Sequence, residues 1–170
     1  MMHPGYQNPD YLGPAGPAEP SLSIVSVQTP EQKPIALLAN YSMHYVGAKP
    51  LSADYFGAFA DKIAELTGTD TSHPPFVAIM SNGTSGDQHW MDYSQPKPTQ
   101  PQSHIQYAET IAREVYEACK KIEHHDWIPI AMRERALTLK VRPISDEELA
   151  KAKKLAASLE GRKPETLPQL

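Results

Sequence analysis

The stretch Phe76-Val77-Ala78-Ile79-Met80-Ser81-Asn82-Gly83-Thr84-Ser85-Gly86-Asp87-Gln88-His89-Trp90 decides the fold. Its first five residues are an unbroken apolar run of strand length, which reads as a buried strand. The run then gives way abruptly to glycines and polar side chains. Glycine lets the backbone bend sharply and come close to a ligand. Between the glycines lie hydroxyls, a carboxylate and an imidazole. In open α/β sheets, sites form beyond the carboxyl ends of strands. The segment therefore reads as an active-site loop, with Asn82, Thr84, Ser85, Asp87 and His89 as its candidate residues.

The same switch occurs earlier. Ile35-Ala36-Leu37-Leu38-Ala39 runs into Asn40-Tyr41-Ser42-Met43-His44-Tyr45. Upstream, Ser21 to Gln28 alternates as a strand, and Thr29 to Pro34 forms a turn, so these two segments make a hairpin. If the strands ending at Ala39 and Met80 are parallel neighbours, both polar switches open on one edge and His44 meets the Ser85–His89 loop. Ser52 is a candidate N-cap for a helix to about Leu66, with Phe56, Phe59, Ile63 and Leu66 on one face and Gly68 as its stop. Ser103 and Gln106 make a capping box for a helix to about Ile122. Its apolar face is Ile105, Ala108, Ile111, Ala112, Val115, Cys119 and Ile122. Ala136 to Val141 alternates as a half-exposed strand, and Ser145 with Glu148 caps a helix to about Glu160, ended by Gly161 and Pro164. The order β-β-α-β-α-β-α predicts an α/β fold, a layered mixed sheet with flanking helices.

Composition narrows the function. A formal net charge of −4 and no basic stripe give no electrostatic case for nucleic acid. No apolar run approaches the roughly 20 residues of a transmembrane segment. The opening Met1-Met2-His3-Pro4-Gly5 has no apolar h-region. Compartment stays open, with export or the periplasm available to a full-length protein. The single Cys119 excludes an internal disulfide framework. On the apolar face of its helix it reads as an inert buried thiol. The 17 prolines crowd the first 34 residues and Pro96 to Pro101, which we read as coil. The Pro/Gly-rich start and the linker-like Lys163 to Leu170 lead us to expect a piece of a larger catalytic domain. Residues 1–142 form its partial core, with coil over 1–20, and residues 143–170 form a capped helix and linker.

The candidate chemistry has competing readings. A neutral imidazole is a common zinc ligand, and catalytic zinc usually takes three protein ligands and a water. His44 is either such a ligand or a histidine hydrogen-bonded at a strand end. Asp54, in the first turn of its helix, is explained either by the helix dipole, worth about 0.3–1 kcal/mol, or by substrate binding close to His44. Ser85, Asp87 and His89 invite a triad, yet side chains two apart in a turn do not line up as nucleophile, base and orienter. Gly83-Thr84-Ser85-Gly86 also misses the Gly-x-Ser-x-Gly elbow. Backbone N–H groups with the Thr84 or Ser85 hydroxyl, holding an oxyanion, suit the loop better. His124-His125-Asp126 reads as a solvated helix end. Tyr41, Tyr45, Tyr55, Trp90 and Tyr93 either line an apolar substrate pocket or edge the core.

Three stretches together resemble the neutral/alkaline non-lysosomal ceramidase family, in its shorter bacterial branch. They are Ile35 to His44, Leu51-Ser52-Ala53-Asp54-Tyr55-Phe56-Gly57, and Ala78 to Asp87; their order and spacing carry a resemblance over about residues 5–135. It implies an N-terminal catalytic domain that hydrolyses the amide between a fatty acid and a sphingoid base. It also implies one zinc ion held by two His, one Glu and one Tyr. His44 matches the second of those histidines, and the remaining ligands would lie outside this chain, so the chain alone is expected to be inactive. In the family a serine two residues past the Gly-Asp pair takes part in catalysis. Here Gly86-Asp87 is followed by Gln88 and His89. The expectations are therefore zinc at His44; His89, Ser85 and Asp87 in catalysis; and Asn82, Thr84, Asp54 and Tyr45 binding a lipid-like amide. A metal-free serine hydrolase using Ser85, and a non-catalytic binding domain, remain as alternatives.

Overall fold

The computed structural model describes residues 4–14, 16–69, 75–86, 88–100, 102–159 and 161. The chain divides into two compact units, Met1–Ile128 and Pro129–Leu170. That division falls ahead of the boundary at 142 expected from the sequence.

The first unit is built on a three-stranded mixed sheet in the order β1-β2-β3. Strand β1 (Ser23–Gln28) pairs antiparallel with β2 (Pro34–Tyr41). The turn between them is closed by Thr29 N–H to Lys33 O and Gln32 N–H to Thr29 O, both 2.9 Å. Helix α1 (Asp54–Thr67) then carries the chain to β3 (Val77–Asn82), which lies parallel to β2. Helix α2 (His104–Cys119) packs against α1.

Register explains which residues are buried, because successive side chains alternate between the two faces of a strand. One face carries the rows Ile24-Ala39-Met80 and Ser26-Leu37-Ala78. Leu37, Ala39 and Met80 from these rows join the core with Tyr55, Phe59 and Ile63 of α1 and Ala108, Ile111, Ala112 and Val115 of α2. Spacings of four on α1 and of three and four on α2 give each helix one apolar stripe. The fully buried Phe59 and Ile63 contribute about 1.5–3 kcal/mol each. The opposite sheet face carries the rows Val25-Leu38-Ile79 and Val27-Ala36-Val77. Val25, Leu38 and Ile79 there are 53%, 42% and 51% exposed.

The α/β architecture matches expectation, and several local readings are corrected. Helix α1 begins at Asp54 with Ala53 as N-cap; Ser52 still takes part, its hydroxyl accepting from Asp54 N–H at 2.9 Å. Gly68 ends the helix in the left-handed conformation, at φ 62°. The capping box of α2 forms as read, with Gln106 N–H to Ser103 Oγ at 3.2 Å and Ser103 N–H to Gln106 Oε1 at 3.0 Å. The helix stops at Cys119 rather than Ile122. Ile105, in the first turn of the helix, is 60% exposed although it continues the apolar stripe.

In the second unit helix α3 (Asp146–Leu159) forms with its own box, Glu148 N–H to Ser145 Oγ at 3.1 Å and Ser145 N–H to Glu148 Oε2 at 2.9 Å. It buries no residue. The expected strand over Ala136–Val141 is absent. Leu137, Leu139 and Val141 are 68–92% exposed and belong to no sheet. Alternation permits a strand, but a strand is stable only when its backbone pairs with a neighbour.

Candidate functional site at the parallel strand ends

The β2–β3 register puts Asn40 beside Ser81 and Tyr41 beside Asn82, so the two polar switches open together at one sheet edge. A side-chain lacing ties the strand ends. Asn40 Nδ2 donates to Ser81 Oγ at 2.8 Å, and Ser81 Oγ donates to Ala39 O at 3.3 Å. Gly83 N–H continues the ladder to Tyr41 O at 3.0 Å. A Cβ at Gly83 would collide with the Ser42 hydroxyl and crowd Asn40 Oδ1 at 3.2 Å. Any larger residue there would have to displace the Ser42 hydroxyl and push the neighbouring backbone back slightly.

His44 is clamped through its backbone on both sides. Its N–H donates to Gln88 O at 3.2 Å across the edge. The preceding residue, Met43, is buried, and its carbonyl accepts from the buried Tyr55 hydroxyl at 3.1 Å. Burial raises the Tyr55 phenol well above its usual pKa, so it remains a donor. Tyr107 is likewise pushed up to about 12, by burial first and then by Tyr41.

Asp54 secures the loop that follows His44. Oδ1 accepts from Val46 N–H at 2.9 Å and Tyr55 N–H at 2.7 Å. Oδ2 accepts from Gly47 N–H at 2.9 Å and Ala48 N–H at 2.7 Å. Burial alone would raise this carboxyl. The backbone donors of Ala48, Val46, Tyr55 and Gly47 outweigh it and hold Asp54 below the usual carboxylate range. The residue adopts φ 50°, a left-handed conformation that Asp tolerates better than most residues. Asp54 thus positions the His44 loop.

Four rings then stand in a row along the edge. Tyr45 meets His44 edge-on at 4.3 Å between centroids. His44 and His89 are 5.8 Å apart at an interplanar angle of 48°, and His89 and Trp90 are 5.8 Å apart. His44 and His89 are both half-buried. Beyond Tyr45 lies an open groove of about 730 Å³, lined by Tyr45, Lys49, Pro50, Ser52 and Phe56 among others.

The glycine loop is occupied largely with its own bonding. Asn82 Nδ2 donates to Ser85 Oγ at 3.0 Å, so the partner of Ser85 is an amide and not a base. The Thr84 hydroxyl lies 3.4 Å from that of buried Ser42. Asp87 lies outside the described residues. The sequence reading misses Gln88 and Ser42 as parts of the site, and offers Tyr55 only as pocket lining or core edge without its bond to Met43 O. With its amide oriented to satisfy its neighbours, Gln88 donates to Glu19 O at 2.8 Å and Ser42 O at 3.1 Å and accepts from Tyr41 OH at 3.2 Å. Elsewhere, burial raises the Cys119 thiol, in keeping with an inert role, and His124 Nε2 sits 3.1 Å from Ser26 Oγ on the exposed side.

Among the described residues no cluster of three or more His, Cys, Asp or Glu could hold a metal ion. His44 and His89 offer two imidazoles, which suit zinc. No helix among the described residues is long and apolar enough to cross a membrane. No family model, curated protein or solved structure matches this chain.

Proposed function

We propose that this chain forms one wall of the active site of a zinc-dependent amidohydrolase acting on an N-acyl, lipid-like amide. The observation that carries the reading is the placement of His44, clamped at the end of β2, directly across from the glycine loop that ends β3. The zinc and the amide in this reading come from the resemblance of Ile35–His44, Leu51–Gly57 and Ala78–Asp87 to neutral ceramidases. When bound, zinc lowers the pKa of its water towards about 7 and polarises the scissile carbonyl.

The chain's own residues then have distinct tasks. His44 presents an imidazole whose orientation is limited by Tyr45 on its edge and by backbone bonds on either side. Asp54 keeps the intervening loop closed, accepting from the backbone N–H groups of Val46, Gly47, Ala48 and Tyr55. The groove along Tyr45 and Phe56 suits an acyl chain, and Lys49 at its rim suits a polar head group. The exposed Asn82 and Thr84 are placed to orient polar groups of the substrate at the opposite wall.

The test uses the protein in its full-length natural form, wild type beside His44→Ala. Zinc content and fatty-acid release from an N-acyl sphingoid amide are measured together. The wild type is expected to hold one zinc and release fatty acid, and the variant to lose both. Stoichiometric zinc retained by His44→Ala would refute the reading.

A further inference from the structure

We infer that the second unit is a self-association arm, in which Ala136–Val141 pairs antiparallel with the same segment of a second copy of this chain, independently of the zinc reading above. The segment has the residue pattern of a strand and none of its bonds. Leu137, Leu139 and Val141 fall at alternate positions and are 68%, 85% and 92% exposed. Among the described residues, no main-chain hydrogen bond reaches residues 130–143. Unpaired N–H and C=O groups beside an apolar row form a template for another strand. The segment also leads into a built corner. Pro143 follows it, Ser145 caps α3, and Arg142 Nη1 reaches Glu148 Oε1 at 2.9 Å. Helix α3 places Leu149, Ala152, Leu155 and Ala156 on one stripe. No described residue of the second unit is buried, so the unit covers neither apolar side by itself.

A second copy is the occupant that the residue pattern fits. In an antiparallel pair, residues directly opposite share a face. Centred on Leu139, the pairing sets Leu137 opposite Val141 and Leu139 opposite itself, so the apolar side chains of both copies make one continuous face. On the other face Lys140 stands opposite Thr138, and no charge meets a like charge. Centred on Thr138, the pairing would set Val141 against Arg135; centred on Lys140, two ammonium groups would meet. A slip of one residue would mix apolar and polar positions on each face. A two-stranded ribbon is marginal in water unless a helix packs on it, and here α3 follows each strand directly. The area suits a dimer. The large apolar residues from Ile130 to Leu149 are 44–92% exposed. At roughly 60–120 Å² for a fully open Val, Leu or Ile side chain, they offer roughly 300–600 Å² per copy. A pair would cover about 600–1,200 Å² before its paired backbone is counted, against the ~1,000 Å² expected of a specific interface.

Sedimentation velocity of the whole chain, over about 1–100 μM, reads the association. The wild type is expected to be dimeric at the top of that range. Leu139→Lys sets two ammonium groups opposite each other at the centre of the ribbon. It is expected to weaken association by about tenfold or more while the melting of the first unit stays unchanged. Thr138→Glu, on the other face, sets a carboxylate opposite Lys140 and should associate at least as tightly as the wild type. In a Cys119→Ser background, Leu139→Cys should link two chains on oxidation, and Leu137→Cys, which faces Val141, should not. A wild type that stays monomeric throughout, or equal cross-linking at both positions, overturns the inference. So does a dimer that Leu139→Lys leaves intact and Leu38→Lys dissolves, since that dimer would form through the exposed sheet face of the first unit.

Discussion

Replacing Asp54 by Asn tests whether one carboxylate fastens the loop after His44. Asparagine tolerates the left-handed φ of this position, so the backbone conformation is not the variable. It keeps one acceptor oxygen for two of the four N–H donors and turns an amide donor towards the other two. Hydrogen bonds to a charged group contribute about 1.5–3 kcal/mol and neutral ones about 0.5–1.5 kcal/mol. The two retained bonds each weaken by about 1 kcal/mol, and the two lost ones cost about 1 kcal/mol apiece once water takes their place. Because all four share one group, their losses do not add fully, and a net cost of about 2–3 kcal/mol is expected. For a unit of this size that lowers the melting temperature by roughly 6–12 °C. Thermal unfolding by circular dichroism reads the shift, and amide exchange should quicken at Val46, Gly47 and Ala48. The pH dependence supplies a second readout. The folded pKa of Asp54 is depressed, so its contribution is fully present above the unfolded value of about 3.9 and is lost as pH falls through the lower folded value. The gap between wild type and Asp54→Asn should therefore be constant near neutrality and shrink below about pH 4. A variant that melts within about 2 °C of the wild type, with unchanged exchange at those amides, would refute the reasoning.

Two other substitutions probe the frame around the site. Gly83→Ala places a methyl against the Ser42 hydroxyl, and is expected to cost about 1–3 kcal/mol; an unchanged melting temperature would count against the close approach described. Leu37 and Leu38 are adjacent but face opposite sides of the sheet, so Leu37→Lys should unfold the first unit while Leu38→Lys stays within about 1 kcal/mol of wild type; equal effects in denaturant titration would contradict the register.

The parallel strand ends are legible because two apolar runs close on the same abrupt polar switch, and a βαβ crossover sets such ends side by side. The residue pattern alone thus places His44 near the Ser85–His89 loop. Other features leave little trace in the residue pattern. Ala136–Val141 alternates as a strand should, but alternation says nothing about whether a partner strand exists. The left-handed turn at position 54 is carried by Asp, whereas a glycine would have announced it. The part of Gln88 that holds His44 is a backbone carbonyl, which any residue supplies. Tyr55 reads either as pocket lining or as core edge, and it is core; its second task depends on a carbonyl twelve positions earlier that only the packing brings within reach. Ser85 draws attention as a hydroxyl between glycines, and the amide of Asn82 that occupies it becomes visible only in three dimensions.

The row of rings from Tyr45 to Trp90 gives the protein its own optical reporter. Of the two tryptophans, Trp127 is 77% exposed, and its emission will resemble that of indole in water. Trp90 is half-buried and stands next to His89, so its emission is expected to be bluer and to report on the surroundings of that imidazole. Events at this edge can thus be followed in solution, in real time and without a label.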